Sequence, residues 1–488
     1  MIVNLAVSLV AVIGFGLALW RTRPVPVARN AIRATMAGIS SMTDSELDDD
    51  SKEVAVRRAG ISLILASFSI FWRFLLALAI AAIPILLADM AGLASRDSVF
   101  ALMLRWDYIV VVSVAAVVLG ELLRRRRPVT VESGSDTSQY ALADRIAHVM
   151  AFSSPAVLKS ASRIEDRLLG MPAQDSADAP IFITSLARAG TTALLNAMHD
   201  MAEIATHTYR DMPFLTAPSL WNRIAGGKKR GVDRRERAHG DGLEIDLDSP
   251  EAFEEIIWQI YWPEKYHETH IEIWGAEDRK PHAEEFLKNH MSKVVRARRE
   301  QSTDNAAQPA HYCSKNNANI ARIQYLLQAF PKAKIVVPIR RPECHAASLL
   351  RQHENFNKLQ SEDSFVRRYM RDIGHFDFGL LHKPIQFPGF DPKAFESRTG
   401  DYWLSYWIHA GREILRHRDS CIFVLQDDLR SSPEATMQKL CGALRLSPSS
   451  LSFSDYFLSK PDRSRTDIYD QFLLQEAEEV YREFEKVR

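Results

Sequence analysis

One short stretch of the chain, an apolar strand followed by a small-residue turn and an apolar helix, most constrains how the protein folds. It reads IFITSLARAGTTALL and covers residues 181–195. In such a turn, backbone N–H groups and the positive end of the following helix form an anion site. Gly190 lets the chain approach a ligand closely, and Thr191 and Thr192 place two hydroxyls at the helix start. The stretch therefore predicts a strand, an anion-binding loop and a helix in direct succession.

This loop departs from the Walker A pattern of nucleotide-binding proteins. That pattern needs a first glycine five residues before the second and a lysine directly after the second. Here Ser185 and Thr191 occupy those two positions, and Arg188 supplies the positive charge instead. The loop by itself is open to three interpretations: a phosphate loop of another kind, a degenerate Walker loop, or a turn shaped by packing alone.

Composition excludes several classes of protein. The 488 residues leave room for one large domain with accessory segments. The formal net charge of +0 at pH 7 argues against nucleic acid as a partner, because no global basic field attracts it. The cysteines form no C-x-x-C pair, which favours free thiols in a reducing compartment over a disulfide framework or a zinc site. They are Cys313, Cys344, Cys421 and Cys441.

Three apolar segments predict an all-α transmembrane region at residues 1–127. The spans are expected at about 1–20, 68–90 and 106–123, since about 20 apolar residues cross a bilayer. The first segment has neither a basic n-region nor an A-x-A site, so we interpret it as an anchor rather than a signal peptide. Arginines after the first and third spans predict a multi-pass membrane protein whose remaining chain lies in the cytoplasm.

The rest of the chain has the pattern of a globular domain. A polar tract predicts a linker at 128–138, and residues 139–488 form the predicted domain. Its apolar strands at 333–339 and 421–425 each lead into a helix. Strands alternating with helices predict an α/β fold, a P-loop-like doubly wound parallel sheet flanked by helices, with ligands at the carboxyl ends of the strands. The charged segment 288–305 predicts a solvated helix and a loop.

A second anion-binding pattern follows the strand at 333–339. It consists of Arg340-Arg341-Pro342 and of Ser348, eight residues after Arg340. A guanidinium at a strand end and a hydroxyl one to two helical turns later can both hold one terminal phosphate. Because this pattern and the first loop both follow strands of the same predicted sheet, we expect them to form one site.

The two patterns together resemble the sulfotransferase family. Its 5′-phosphosulfate loop reads P-R-S-G-T-T in the membrane-associated and tyrosylprotein branches, and its 3′-phosphate motif is R-x-P followed by a helical serine. Ala187 replaces the proline and Ala189 the serine. The resemblance, over roughly residues 180–446, implies 3′-phosphoadenosine 5′-phosphosulfate (PAPS) as sulfuryl donor, with no metal required. The donor-binding residues that it implies are Arg188, Ala189, Gly190, Thr191, Thr192, Arg340 and Ser348.

A third segment supports the same resemblance. Residues 311–317, HYCSKNN, are similar to the C-N-K-D-P segment of tyrosylprotein sulfotransferases, with Asn316 and Asn317 in place of the D-P pair. In the family this lysine steadies the charge that develops on the leaving bridge oxygen. The resemblance therefore implies a catalytic role for Lys315, together with Arg188.

Transfer to a hydroxyl also calls for a base within hydrogen-bond reach of the attacking oxygen. In the family that base, Glu or His, follows the phosphosulfate helix on the next strand or loop. Asp211 is the first candidate, because it closes an apparent strand and precedes Met-Pro, and His207 and Glu203 are the second and third. The alternative is that Asp211 forms a structural ion pair with Arg210 or Arg223.

The sequence as a whole predicts a membrane-anchored sulfotransferase that moves a sulfuryl group from PAPS to a hydroxyl of a lipid, glycolipid or glycan. Two other interpretations stay open. One is a nucleotide-dependent kinase or NTPase with a degenerate P-loop, and the other is a non-catalytic membrane scaffold of the same fold.

Overall fold

The structure is a computed structural model, and it forms two compact units, Met1–Ser135 and Asp136–Arg488. Besides a few isolated positions, it describes residues 2–22, 49–105, 148–172, 178–225, 235–236, 244–302, 308–447, 451–457 and 466–488.

In the first unit, the described residues form helices α1 (Ile2–Thr22), α2 (Asp49–Met90) and α3 (Arg96–Met103). Helices α1 and α2 pack antiparallel. The rings of Phe15 and Phe74 lie 6.4 Å apart, and Ala11 packs in one cluster with Ile85 and Ala88. Small residues at this contact let the two helix backbones approach closely, as in packed membrane helices.

Helix α2 carries the segment Leu65–Met90, which is long and apolar enough to cross a membrane, and α1 carries the shorter apolar segment Val3–Leu19. Both overlap predicted spans. The predicted third span at 106–123 and the predicted linker at 128–138 lie outside the continuous described ranges. The structure therefore offers one candidate span in the described residues, and the arrangement with three spans stays a prediction.

The second unit contains a parallel sheet and a separate short strand pair. The strands are β1 (Ile181–Ile183), β2 (Ile204–Ala205), β3 (Arg235–Glu236), β4 (Glu244–Ile245), β5 (His311–Lys315), β6 (Lys334–Ile339) and β7 (Cys421–Leu425). The helices are α4 (Pro155–Leu169), α5 (Thr191–His199), α6 (Pro218–Ala225), α7 (Glu255–Tyr261), α8 (Pro281–Gln301), α9 (Ile323–Ala329), α10 (Pro342–Glu362), α11 (Ser364–Asp372), α12 (Gly400–Leu415), α13 (Gln426–Ser431), α14 (Pro433–Leu444) and α15 (Gln471–Val487).

The five strands of the main sheet run parallel in the order β2-β5-β1-β6-β7. From β1 the chain goes outward to β2 and returns to β5, then crosses to β6 and β7 on the opposite side. A sheet whose connections change direction in this way has a crevice at the carboxyl ends of its central strands. The predicted parallel α/β fold is therefore confirmed.

Alternate strand residues pack into two separate cores, one on each face of the sheet. In β1, Phe182 belongs to one core, whereas Ile181 and Ile183 belong to the other. In β6, Val336 likewise faces away from Ile335. Burial on both faces explains why these strands are continuous apolar runs rather than alternating ones.

The charges at 288–305 predict a solvated helix. Helix α8 covers most of this segment, but the prediction that it is solvated is wrong. One of its faces is buried, and the side chains of Lys293 and Arg298 are only 0% and 7% exposed. The Lys293 ammonium lies 2.7 Å from Asp166 Oδ1 and donates to Ser162 Oγ at 2.6 Å. Buried charges are tolerated where each is paired and hydrogen-bonded, and here the partners lie on other elements.

Candidate active site

The loop between β1 and α5 lies at the carboxyl end of the central strand. Arg188 and Gly190 both have left-handed backbone, with φ of 73° and 92°. A Cβ atom built on Gly190 would lie 3.2 Å from Gln426 Nε2, so the close packing also favours glycine there. Gly190 is the N-cap of α5. The helix therefore begins at the loop with unpaired N–H groups in its first turn, which is the arrangement of an anion site.

The second predicted pattern meets this loop through the start of α10. Arg340, between β6 and α10, donates from Nη1 to the Arg188 carbonyl at 3.0 Å. Arg188 in turn donates from Nε to Ser348 Oγ at 3.3 Å. The structure thus brings together Arg188, Arg340 and Ser348, which lie up to 160 residues apart in the sequence.

His345 is a third link between α10 and the loop, and the sequence prediction omits it. Its Nε2 lies 2.7 Å from the Ala187 carbonyl, and its Nδ1 accepts from Trp407 Nε1 at 3.0 Å. Because Nδ1 accepts a hydrogen bond from the Trp407 N–H, the proton of the neutral ring is on Nε2. This N–H donates to the Ala187 carbonyl of the loop. The buried ring therefore fixes the loop backbone against α10 and α12.

Lys315 lies at the same edge of the sheet as the loop. It is the last residue of β5 and pairs in register with Ile183, the last residue of β1. Its Nζ lies 3.9 Å from Glu251 Oε1, and only 9% of its side chain is exposed. The parallel register therefore places a nearly buried lysine beside the point where the anion-binding loop begins.

A buried network of hydrogen bonds and an ion pair anchors the end of β5. Asn316, next to Lys315, donates to Glu255 Oε2 at 2.6 Å. Arg322 donates from Nη2 to both Glu255 oxygens at 2.9 Å, and its guanidinium lies 4.6 Å and 4.3 Å from the ring centroids of Trp258 and Trp274. A buried ion pair that is also stacked on aromatic rings restricts the positions of its members. The residue beside Lys315 is thereby anchored.

Asp211, the first predicted base, has the surroundings of a structural carboxylate. Its side chain is fully buried, and both of its oxygens accept from Arg298 Nη2. Oδ2 also accepts from the Thr208 N–H at 3.0 Å and lies 3.3 Å from His207 Nδ1. Burial alone would raise the pKa of Asp211, but the Arg298 guanidinium and these hydrogen bonds outweigh it and hold the pKa well below its usual range. So weak and so enclosed a base is poorly suited to accept the proton of an acceptor hydroxyl.

The other two predicted bases are also poorly placed. His207 is buried between Asp211 and His290. Its Nε2 lies 2.9 Å from the Nε2 of His290. Glu203 precedes β2 and therefore lies at the amino edge of the sheet, opposite Lys315. Its Oε2 accepts from the Ser447 N–H at 3.2 Å. The arginines expected to pair with Asp211 have other partners: Arg210 pairs with Asp248 and Arg223 with Glu300.

A small cleft of about 30 Å³, the space of about one water molecule, opens beside the loop. Leu186 and Ala187 of the loop line one wall, and Asn317, two residues after Lys315, lines another. Most of the remaining lining is apolar or aromatic, and Asp377 is the carboxylate among the lining residues. The cleft therefore joins the anion-binding loop, the end of β5 and a carboxylate that sequence reasoning did not single out.

Three comparisons with known proteins bear on this site. Residues 180–378 match the model of the sulfotransferase family. No curated protein matches the chain. Among solved structures, sulfotransferase STF9 from Mycobacterium avium is 11% identical with a TM-score of 0.39, over 72% of this chain and 88% of its own. Sulfotransferase STF1 from Mycobacterium tuberculosis H37Rv is 15% identical with a TM-score of 0.34, over 69% of this chain and 84% of its own.

The matched region begins just before β1 and ends just after Asp377. It contains the loop, Lys315, Arg340 and Ser348, which are the residues that carry the resemblance in the sequence. Residues 180–378 are therefore similar to the sulfotransferase family, as the sequence patterns predict.

Proposed function

We propose that this protein transfers a sulfuryl group from PAPS to the hydroxyl of a lipid, glycolipid or glycan. The observation that carries the proposal is the meeting of two anion-binding patterns through Arg188, Ser348 and Arg340. A donor that bears a phosphosulfate at one end and a separate phosphate at the other needs two such groups of cations and hydroxyls side by side. The left-handed Gly190 and the helix start beside it fit the phosphosulfate end.

The chain's own residues then have distinct roles. Bound PAPS supplies the activated sulfuryl group. Arg188, Thr191, Thr192 and the N–H groups at the start of α5 hold the phosphosulfate, while Arg340 and Ser348 hold the 3′-phosphate. Lys315 faces the charge that develops on the leaving oxygen. Donors already in place where charge appears in the transition state lower the barrier, because they need no reorganisation during the reaction.

Nucleotide binding tests this proposal. In calorimetry with 3′-phosphoadenosine 5′-phosphate, Arg188→Ala and Arg340→Ala should each weaken affinity about 10- to 100-fold, the effect of losing one hydrogen bond to a charged group. Arg351→Ala is the matched control, because Arg351 is exposed on α10 and should leave affinity unchanged. Unchanged affinity in both site variants would contradict the proposal. Preference for ATP with Mg²⁺ over this nucleotide would favour the kinase interpretation.

We also propose that the first unit anchors the protein in a membrane as a multi-pass region and that the second unit lies in the cytoplasm. In α2 the side chains of Phe68, Phe71 and Trp72 are 68%, 63% and 58% exposed. Large aromatic side chains left outside a packed core are typical of a surface that faces lipid or another partner. The arginines that flank the predicted spans support the cytoplasmic orientation.

Membrane attachment has a direct test. The full-length protein should stay in the membrane fraction after alkaline carbonate extraction. Leu78→Arg combined with Leu86→Arg in α2 should release much of it, because each arginine at mid-span costs about 2.5–3.5 kcal/mol on insertion scales. Leu380→Arg is the control, since Leu380 is an exposed leucine of the second unit. Extraction of the unaltered protein by carbonate would rule out an integral anchor.

A further inference from the structure

We propose that one face of helix α4 docks on an anionic lipid surface, with its arginines at the lipid phosphates and its apolar side chains inserted beside them. The face consists of Arg163, Ile164, Arg167 and Leu168, and we call it the α4 face. The inference goes beyond the proposed sulfuryl transfer and rests on the membrane attachment proposed above. It adds a second membrane contact, which the folded second unit makes itself.

Helical spacing places these four residues together. Arg163 and Arg167 are one turn apart, as are Ile164 and Leu168, so they share one side of the helix. All four are exposed, Ile164 by 37% and Leu168 by 66%. Met171, just after the helix, adds an apolar side chain that is 57% exposed. A helix on a globular domain normally turns its apolar stripe toward the core, so apolar side chains grouped on the outer face indicate a partner.

The inner face of α4 holds the helix on the second unit and contains both of its carboxylates. Glu165 Oε1 lies 2.8 Å from Arg296 Nη2, and Asp166 Oδ1 lies 2.7 Å from the Lys293 ammonium. Leu158 is buried on the same side as Glu165. Because cations of α8 neutralise both acidic residues of the helix, the α4 face keeps its arginines without a compensating charge from α4.

Nearby cations add to the positive charge of the α4 face. The pKa of Lys159, one turn before Arg163, is lowered by partial burial and by the charges of Arg163 and Lys280. Lys280 is paired with Glu264. Among the residues that the structure describes, no carboxylate pairs with Arg163 or Arg167. The two arginines are therefore available to an anionic partner.

The mixture of arginines and apolar side chains fits a lipid surface. A helix of this kind lies in the bilayer interface, where its apolar side chains enter the acyl boundary and its cations meet the headgroups. Each Lys or Arg at an anionic lipid surface strengthens binding by about fivefold. A membrane anchor in the same chain raises the local concentration of the surface, so a few such contacts suffice. A second copy meeting the same face would instead bring arginines against arginines.

The test uses the full-length protein with a fluorescent probe on the α4 face. Ser160→Cys, labelled with an environment-sensitive dye, reports on this face because Ser160 lies one turn before Ile164. Labelling of the unaltered protein gives the background from native cysteines, of which Cys313, Cys344 and Cys441 are buried. Brominated lipids should quench the dye in vesicles of phosphatidylcholine with phosphatidylserine. They should quench it much less in vesicles of phosphatidylcholine alone.

Two exposed-residue variants on this labelled background separate charge from apolar contact. Arg163→Gln with Arg167→Gln should lower the ratio of docked to undocked protein about 25-fold on anionic vesicles, at about fivefold for each charge. Leu168→Gln should lower it about 10- to 100-fold, the effect of no longer burying one leucine. Arg351→Gln with Arg482→Gln is the matched control, since both arginines are exposed on α10 and α15, and it should leave the ratio unchanged.

Absence of quenching on anionic vesicles, or equal quenching on neutral and anionic ones, would overturn the inference. So would equal quenching in the α4 variants and the control. Shielding of the dye by soluble polyglutamate, with no quenching on vesicles, would overturn it in favour of an acidic protein partner. Quenching on anionic vesicles by a protein that carbonate extracts would support the α4 face and contradict the integral anchor. Failure to bind 3′-phosphoadenosine 5′-phosphate would contradict the proposed transfer alone.

Discussion

Replacing Lys315 by alanine is expected to lower the kcat of sulfuryl transfer about 10²–10³-fold, the effect of removing one preorganised charge from a transition state. The lysine is nearly buried at the end of β5, beside the strand that enters the anion-binding loop. In such a place water cannot substitute for its charge. Because charge on the leaving oxygen is greater in the transition state than in the bound donor, affinity for PAPS should change much less than kcat.

Two further variants sharpen this test. Lys315→Arg keeps the charge but not the compact ammonium, so its kcat should lie between those of the alanine variant and the unaltered protein. Lys332→Ala is the matched control, since its side chain is 71% exposed and pairs with Asp178 on the surface. A fall of kcat below tenfold in Lys315→Ala would contradict the catalytic role. A large rise in KM with unchanged kcat would show that the lysine only binds the donor.

Replacing Asp211 by asparagine is expected to lower the free energy of unfolding of the second unit by about 3–5 kcal/mol, the cost of breaking a buried ion pair. Asp211 is fully buried, and its partner Arg298 is 7% exposed. The variant would leave the Arg298 guanidinium without a compensating charge. The rate of sulfuryl transfer by the folded variant should fall less than tenfold. A general base would instead cost about 10²–10⁴-fold, so a loss of that size with unchanged stability would restore Asp211 as the base.

The same variant should also change how the free energy of unfolding depends on pH in the acid range. The pKa of Asp211 is held below its usual range in the folded protein, whereas an unfolded aspartate titrates near about 3.9. The ion pair's contribution is therefore complete above about pH 5 and is lost as the pH falls further, because the unfolded chain takes up a proton first. Unfolding of Asp211→Asn, followed from pH 7 downward, should show a shallower loss of stability. Asp419→Asn, which alters an exposed aspartate before β7, should follow the unaltered protein.

The loop and the parallel sheet could be predicted because both depend on local sequence. Gly190 and the two threonines after it mark the turn, and the apolar runs on either side mark strand and helix. The Arg340 pattern likewise needs only a strand end and a helical serine eight residues later. The loop and the Arg340 pattern are each contained in fewer than 20 residues, so chain order alone places their parts next to one another.

The surroundings of the candidate bases could not be predicted in this way. Asp211 looks available in the sequence, but Arg298, 87 residues later, encloses it in the fold. His345 gains its role only from Trp407, 62 residues away. Burial and pairing of a charged group depend on such distant partners, which is also why the charges at 288–305 do not reveal the buried face of α8.

Local sequence patterns establish where the loop between β1 and α5 lies and which strand precedes it, and they predict which arginine and serine meet this loop. Those properties follow from turn chemistry and hydrophobic periodicity, which act over a few residues. The folded chain, in contrast, brings Arg188 into contact with Ser348 and encloses Asp211 with Arg298. The accessibility of a side chain is set by every element packed around it, and the packing is known only after the chain has folded.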